Sequence, residues 1–197
     1  MAASLGLNPD LLLLRPFDPA TAPQRLQLEA QLRRQGPKLA IRWLLCGDLQ
    51  QLRLPDPEQD PQRRDELWTS TCLECFLAQP GQEGYWELNL CPSGHWNLYR
   101  LQGYRQGLRP EPALQRLPSR RQLQAAGDGQ ALELAVELDL EPLLAAEASR
   151  AVLELGVTAV LECHDGNISY WALRHPAAEP DFHLRTGFCV RLPSVAP

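Results

Sequence analysis

The sequence predicts an all-β protein, an antiparallel β-sandwich of the Ig-like or jelly-roll kind, with about ten strands and at most one or two short helices. Hydrophobic and polar residues alternate with period two along much of the chain, as strands with one solvated face require. The 197 residues include 18 Pro and 13 Gly, so turns are frequent. Short alternating segments separated by turn signals are typical of β-sandwiches and barrels.

The first predicted hairpin lies in the N-terminal part of the chain. In RLQLEAQLR, residues 25 to 33, Leu and Ala alternate with Arg, Gln and Glu. The breaker QGPK, residues 35 to 38, separates this segment from LAIRWLLC, residues 39 to 46, where Ile41 and Trp43 share a face. Two alternating segments joined by such a turn predict an antiparallel hairpin.

Nine further segments are predicted to be strands by the same reasoning. They lie near residues 49–54, 71–78, 84–90, 95–101, 120–125, 131–140, 152–163, 168–174 and 187–192. Only EPLLAAEASR, residues 141 to 150, has a helical pattern. The proline-rich stretch at 55 to 66 is predicted to be a loop within a single domain spanning residues 1 to 197, because neither flank has enough strands to close a core.

Composition argues against several classes of partner. The net charge is −5 and the 19 basic residues are scattered, so we expect no nucleic-acid partner. The apolar run at 11 to 14 is far shorter than a signal-peptide core of about 7 to 15 residues, and none approaches a membrane span of about 18. We therefore expect a cytoplasmic protein without a membrane partner, whose six Cys are reduced.

Aromatic residues are concentrated between residues 84 and 105, which hold two of the five Trp and three of the four Tyr. The turn CPSG, residues 91 to 94, joins YWELNL to HWNLYRL as a hairpin. In the first of these strands Tyr85, Glu87 and Asn89 share one face. One face of this strand therefore combines an aromatic ring with hydrogen-bonding groups.

A second hairpin is predicted around Asp165-Gly166, a strong two-residue turn signal. A two-residue loop would place Asn167 and Trp171 on the same face as Glu162. A one-residue bulge would exchange the two faces and turn Tyr170 toward the polar groups instead. In either case one of two adjacent aromatic residues shares a face with polar side chains.

Upstream, DELWTSTCLECFL places Trp68 at the end of the polar loop and Glu74 on the strand that follows. Glu74 shares its face with Cys72 and Phe76, so its carboxylate needs a partner, for which Arg105 is a candidate. Cys72 and the Cys three residues later form a C-x-x-C, but within a strand these thiols point to opposite faces. We therefore expect no metal there.

The Trp residues divide into two groups by their neighbours. Trp43 and Trp86, together with Tyr170, are expected to pack in the core, whereas Trp68, Trp96 and Trp171 lie nearer turns or polar groups and fit either core packing or ligand binding. We find no G-x-S-x-G, P-loop or dinucleotide motif. The sequence therefore predicts a non-catalytic protein without a cofactor.

Three segments together resemble bacterial DOMON-like domain proteins of uncharacterised function. They are DELWTSTCLECFL, YWELNLCPSGHWNLYRLQGYRQG and DGNISYWALRHPAAEPDFH. The resemblance extends from about residue 10 to residue 192 and implies an Ig-like or jelly-roll β-sandwich. The wider group includes family 9 carbohydrate-binding modules and haem-binding DOMON cytochromes.

The resemblance implies a carbohydrate site. In the carbohydrate-binding relatives two aromatic residues clamp a sugar, with a Glu six positions after the first and an Asn shortly before the second. Trp68 and Glu74 have the first spacing, and Asn167 precedes Trp171 by four. The predicted ligand-binding residues are Trp68, Glu74, Glu87, Asn89, Trp96, Arg105, Asn167 and Trp171.

Three other functions stay open at this point. The aromatic surface could instead serve protein–protein interaction or homodimerisation. Haem binding would need a pair of His ligands, because DOMON cytochromes use Met and His and the only Met here is Met1. Glu74 and Glu87 could also form the carboxyl pair of a glycoside-processing enzyme.

Overall fold

The computed structural model describes residues 11–144 and 151–193. These residues form twelve β-strands and one short α-helix. The strands are β1 (Leu12–Pro16), β2 (Leu26–Gln35), β3 (Lys38–Gly47), β4 (Cys72–Ala78), β5 (Tyr85–Leu90), β6 (Trp96–Leu101), β7 (Arg109–Pro110), β8 (Ser119–Ala126), β9 (Gly129–Asp139), β10 (Leu153–Glu162), β11 (Ile168–Ala172) and β12 (Val190–Leu192). The helix α1 covers Glu141–Leu144, and 3₁₀ turns cover Leu49–Gln51, Leu67–Thr69 and Arg185–Gly187.

The strands form one curled antiparallel sheet in the order β7-β6-β5-β4-β10-β11-β1-β2-β3-β9-β8, with β12 also paired to β10. The curl is at β1, which pairs with β2 through Leu12 to Leu14 and with β11 through Arg15 and Pro16. This strand therefore belongs to both halves of the sheet, which pack face to face as the two layers of a sandwich.

A single large hydrophobic core fills the space between the two layers. Ile41, Trp43 and Leu45 of β3 reach it from one layer, and Leu73 and Leu77 of β4 reach it from the other. Since side chains alternate along a strand, the same period-two pattern that predicts the strands also supplies the inward faces. The predicted fold class is confirmed.

The β2–β3 hairpin forms as predicted, with ten residue pairs from Leu26–Gly47 to Gln35–Lys38. The turn contains Gly36 at φ 55°, a left-handed backbone conformation that glycine adopts without steric cost. Leu-rich strands such as β2 would favour a helix locally, and the burial of one alternating face in the shared core outweighs that preference.

Two details differ from the sequence predictions. Residues 49–54 are not a strand, because Leu49 and Leu52 are both buried at the spacing of a 3₁₀ turn. The strands β1 and β7 were not predicted, and β1 is the segment that joins the two layers. Of the predicted helix at 141–150, residues 141–144 are helical and the remainder lies outside the described residues.

The proline-rich stretch at 55–66 is a loop, as predicted, and it is anchored to the sheet. The Arg63 guanidinium donates hydrogen bonds to Asn97 Oδ1 at 2.8 Å and to the Glu111 carbonyl at 3.1 Å. It also lies over the Trp96 ring, 4.5 Å from the ring centroid.

In the described part of the chain, no helix is long and apolar enough to cross a membrane.

Candidate functional site

A cleft of about 360 Å³ opens on the outer face of the layer that contains β4, β5, β10 and β11. The loop after β6 and the segment at residues 180–183 border it. Its lining residues are Trp68, Glu74, Phe76, Glu87, Leu101, Arg105, Leu108, Val160, Tyr170, Pro180, Phe182 and His183. Four of the residues predicted from the sequence, Trp68, Glu74, Glu87 and Arg105, therefore meet in one place.

Strand alternation places the two carboxyl groups on the floor of the cleft. Glu74 of β4 pairs with Asn89 of β5, and Phe76 pairs with Glu87. Glu74 and Glu87 are therefore diagonal neighbours on adjacent antiparallel strands, a separation that side chains of this length span. The outward faces of these two strands are those that the sequence predicts.

The Glu74 side chain is buried at the base of the cleft, and only 2% of the residue is exposed. Its Oε2 accepts one hydrogen bond, from the Thr158 hydroxyl at 3.0 Å. Burial and the neighbouring Glu87 raise the pKa of Glu74 to about 8, because both disfavour the carboxylate form. At neutral pH Glu74 therefore holds a proton.

The Glu87 carboxyl group is also buried, and burial raises its pKa. Its Oε1 accepts a hydrogen bond from Asn89 Nδ2 at 2.9 Å, while Oε2 lies 4.0 Å from His183 Nε2. Asn89 Oδ1 is buried without a partner among the described residues. Asn89 therefore holds the Glu87 carboxyl group through this hydrogen bond, but Asn89 does not itself line the cleft.

His183, which the sequence analysis did not single out as a binding residue, forms one side of the site. Its Nδ1 lies 2.8 Å from the Tyr85 hydroxyl, and its ring packs edge-on against Phe76 at 5.2 Å. Burial, followed by the charge of Arg105, lowers the pKa of His183 to about 4. The imidazole is therefore neutral at neutral pH and adds no positive charge to the cleft.

Arg105 lines the cleft, but the prediction that it pairs with Glu74 is wrong. Its guanidinium bonds Asp181 Oδ1 at 3.1 Å, and the Tyr104 hydroxyl donates to the other oxygen of the same carboxylate at 2.5 Å. Asp181 lies more than seventy positions after Arg105 in the sequence, so the two residues meet only when the chain folds.

The predicted clamp of Trp68 and Trp171 does not form. Trp171 is 4% exposed and packs in the core, where its Nε1 donates to Ser169 Oγ at 3.0 Å. Tyr170, expected in the core, is 38% exposed and lines the cleft, as does Trp68. Trp68 and Tyr170, and not Trp171, therefore line the cleft.

A one-residue change in register explains this exchange. Cys163 N donates to the Asn167 carbonyl at 2.8 Å, which closes a three-residue loop at 164–166. Val160 then lies opposite Tyr170, and Ala159 lies opposite Trp171. Because side chains alternate, a shift of one residue turns every side chain of β11 to the other face.

Two further predicted residues lie away from the cleft. Trp96 is 3% exposed and is covered by Arg63 of the anchored loop. Asn167 lies at the hairpin tip, where its amide donates to Asp165 Oδ2 at 2.8 Å. Neither the loop over Trp96 nor the hairpin register follows from local sequence.

Aromatic side chains form the walls of the cleft. Trp68 packs edge-on against Tyr99 with the ring centroids 5.5 Å apart, and Tyr170 packs likewise against Phe182 at 6.0 Å. Phe182 was missed because it lies in an irregular segment without periodicity. The sequence did contain one signal: Phe182 lies between Asp181 and His183, and acidic, aromatic and imidazole side chains are all common in binding sites.

Within residues 11–144 and 151–193, no group of three or more His, Cys, Asp or Glu side chains is placed to hold a metal ion. Cys75 lies in the main core, and Cys72 packs with Leu67 and Cys91 on the opposite face. The C-x-x-C thiols therefore point apart, as strand geometry predicts.

Removal of the Thr158 hydroxyl should raise the pKa of Glu74 further. That hydrogen bond stabilises the carboxylate, so Thr158→Val, which keeps the shape, leaves the charged form less favourable. We expect the stability loss to be larger at alkaline pH than at acidic pH, by about 1 kcal/mol, because the bond to the charged carboxylate is the stronger one. Carbon-13 NMR titration of the Glu74 carboxyl would measure the change, and an unmoved midpoint would contradict the assigned bond.

The fold and cleft together define a β-sandwich with an open, aromatic-walled site on the outer face of one layer. No protein-family model matches the sequence, and no curated protein sequence matches it. The fold is similar to that of a candidate carbohydrate-binding protein from Bacteroides uniformis, with a TM-score of 0.61 at 11% identity over 88% of this chain and 83% of that one.

Two structures of a family 9 carbohydrate-binding module from Caldicellulosiruptor kristjanssonii also align with this chain, at 11% identity. The complex with cellotriose gives a TM-score of 0.43 over 85% of this chain and 74% of the module. The complex with glucose gives 0.40 over 80% and 71%. At 11% identity, the similarity to the Bacteroides protein is a similarity of fold.

Proposed function

We propose that the cleft binds a small carbohydrate or sugar derivative and that the protein is a non-catalytic binding domain. One observation supports this more than any other: Trp68 and Tyr170 line the same open cleft as the carboxyl groups of Glu74 and Glu87. A pyranose has apolar C–H faces that pack on flat rings and a rim of hydroxyl donors for acidic oxygens.

The shape and size of the site support the same proposal. A cleft of about 360 Å³ lies within the ordinary range for small-ligand sites. It combines mostly apolar walls with a few converging polar groups, which is the usual composition of such sites. The similarity of the fold to a candidate carbohydrate-binding protein adds support.

Substitution of the wall residues tests the proposal. We expect Trp68→Ala and Tyr170→Ala each to weaken binding by at least about tenfold, because each removes an aromatic surface from the sugar. Isothermal titration calorimetry against a panel of oligosaccharides and sugar nucleotides would measure the affinity. Ile168→Ala is the matched control, since Ile168 is exposed on the same face of β11 but does not line the cleft.

Several outcomes would overturn the proposal. Failure of every sugar in the panel to bind would do so, as would binding that survives both aromatic substitutions. A stable dimer that dissociates in Tyr170→Ala would show that the exposed ring serves a protein interface instead. Thermal denaturation of each variant would separate lost binding from lost folding, because Trp68 also packs on Tyr99.

Glycoside hydrolysis is a second candidate, favoured by the raised pKa of Glu74 beside a second carboxyl group. A protonated carboxyl at neutral pH is what a general acid requires. Incubation with the oligosaccharides that bind, followed by an assay for new reducing ends, decides between the two. Hydrolysis that disappears in Glu74→Gln would replace binding by catalysis as the function.

A further inference from the structure

We infer that the cleft selects sugars that carry an amine, whose ammonium group binds between the Glu74 and Glu87 carboxyl groups. This inference rests on the proposed function and narrows the class of ligand. Its basis is a mismatch of charge: two acidic side chains lie on the floor of one cleft, and no Lys or Arg of the described residues forms an ion pair with either.

The described residues provide no counter-ion for this pair. Within residues 11–144 and 151–193, no Lys or Arg nitrogen lies within 4 Å of either carboxyl group. The nearest ionisable nitrogen is His183 Nε2, 4.0 Å from Glu87. Because His183 is neutral at neutral pH, it does not balance the charge.

Among the described residues, the one guanidinium that lines the cleft is already paired. Arg105 bonds Asp181 at 3.1 Å, and that carboxylate also accepts the Tyr104 hydroxyl. The Arg105–Asp181 pair adds no net charge, so an ionised Glu74 and Glu87 would leave the cleft negative. A buried carboxylate without a partner is unfavourable, so it either takes up a proton or pairs with a cation from the ligand.

The walls of the cleft favour the same kind of ligand. Trp68 and Tyr170 present aromatic rings, and the faces of such rings attract cations. Phe76 and Phe182 add two further rings to the lining. Aromatic rings around acidic side chains are a common arrangement for binding an ammonium group, and the same rings pack against the C–H face of a sugar.

Binding of an ammonium group should displace the proton that the carboxyl pair holds. The groups that face this pair are Cys72, Tyr85, Asn89, Tyr99, Arg105, Thr158, Asp181 and His183. Among them only Arg105 and Asp181 are charged at neutral pH; they pair with each other, and the charge of Arg105 also acts to lower the pKa of Glu87. Proton release on binding therefore reports on Glu74 and Glu87.

Three disaccharides with the same β-1,4 backbone provide the test, since they differ only at carbon 2. They are the glucosamine dimer with an ammonium group, N,N′-diacetylchitobiose with an acetamide, and cellobiose with a hydroxyl. At about pH 7 we expect the glucosamine dimer to bind at least about tenfold more tightly than the other two. Calorimetry in two buffers of different ionisation enthalpy should show release of about one proton for the glucosamine dimer alone.

Two variants link the preference to the carboxyl pair. Glu87→Gln should reduce the preference for the glucosamine dimer to less than about threefold, because one of the two acidic groups is removed. Glu83→Gln, at an exposed position in the turn before β5, is the control and should leave the preference unchanged. Thermal denaturation of both variants verifies that each remains folded.

The possible results separate this inference from the proposed function. Equal or tighter binding of cellobiose or diacetylchitobiose overturns the inference and leaves a carbohydrate site. If some other sugar binds but none of these three does, the inference is also overturned and the proposed carbohydrate site remains. Absence of binding by any sugar overturns both, and a preference that persists in Glu87→Gln places the ammonium group elsewhere.

Discussion

A Glu74→Gln variant is expected to lose much less stability than the wild-type protein as the pH rises from about 5 to about 9. Glutamine has nearly the same shape as glutamate and can still accept the hydrogen bond from Thr158. It carries no charge at any pH. The difference between the two proteins therefore isolates the ionisation of Glu74.

The direction follows from the two protonation states. The pKa of Glu74 is about 8 in the folded protein, against 4.5 for an ordinary Glu side chain. The folded state thus binds the proton more tightly, so its stability is complete below about pH 4.5 and is lost as the pH rises through about 8. The loss amounts to about 5 kcal/mol at most.

Urea denaturation at a series of pH values would measure this effect. The wild-type protein and Glu74→Gln are compared at each pH, so that other groups such as His183 contribute equally to both. Glu83→Gln, on the exposed turn before β5, should follow the wild-type curve. Parallel curves for wild type and Glu74→Gln would show that Glu74 is not buried as a proton-holding group.

Substitution of Trp43 by Ala is expected to have the largest effect on folding. Trp43 is fully buried, lies between Ala30 and Leu134 on the neighbouring strands, and belongs to the core that both layers share. Truncation leaves a cavity and should lower the free energy of unfolding by about 3 to 5 kcal/mol. This is a large part of the stability of an ordinary domain.

Two further variants show whether the loss comes from the cavity. Trp43→Phe should cost less than about 2 kcal/mol, since it keeps an aromatic ring and removes an indole N–H that is buried without a partner in the described structure. Leu44→Ala, on the opposite face of β3, should cost about 1 kcal/mol or less. Equal losses at positions 43 and 44 would contradict the assigned inward face.

The cleft and the core lie on opposite faces of the same strands, and this arrangement explains how the site tolerates acidic groups. Leu73 and Leu77 of β4 stabilise the sandwich from the inner face, while Glu74 points outward into the cleft. The unfavourable burial of an acidic side chain is offset by apolar packing on the other face of the same strand. Acidic side chains can therefore be buried in the cleft without loss of the fold.

The alternation of apolar and polar residues predicts the fold class and the strands that carry the carboxyl groups. Period-two alternation and the CPSG turn set which faces of β4 and β5 point outward, because side-chain direction in a strand follows residue parity. Each Glu was therefore assigned to a face of its own strand, and the structure brings the two faces together in one cleft. The spacing of Trp68 from Glu74, taken from the family resemblance, also led to the cleft.

The rest of the site depends on how distant segments of the chain pack together. Whether Tyr170 or Trp171 faces the cleft depends on one residue in the loop at 164–166, and both loop lengths suit the same sequence. Asp181 binds Arg105, and His183 reaches Glu87, because an irregular segment packs across the sheet. Periodicity describes the residues within a strand, whereas contacts between distant segments depend on how the whole chain packs.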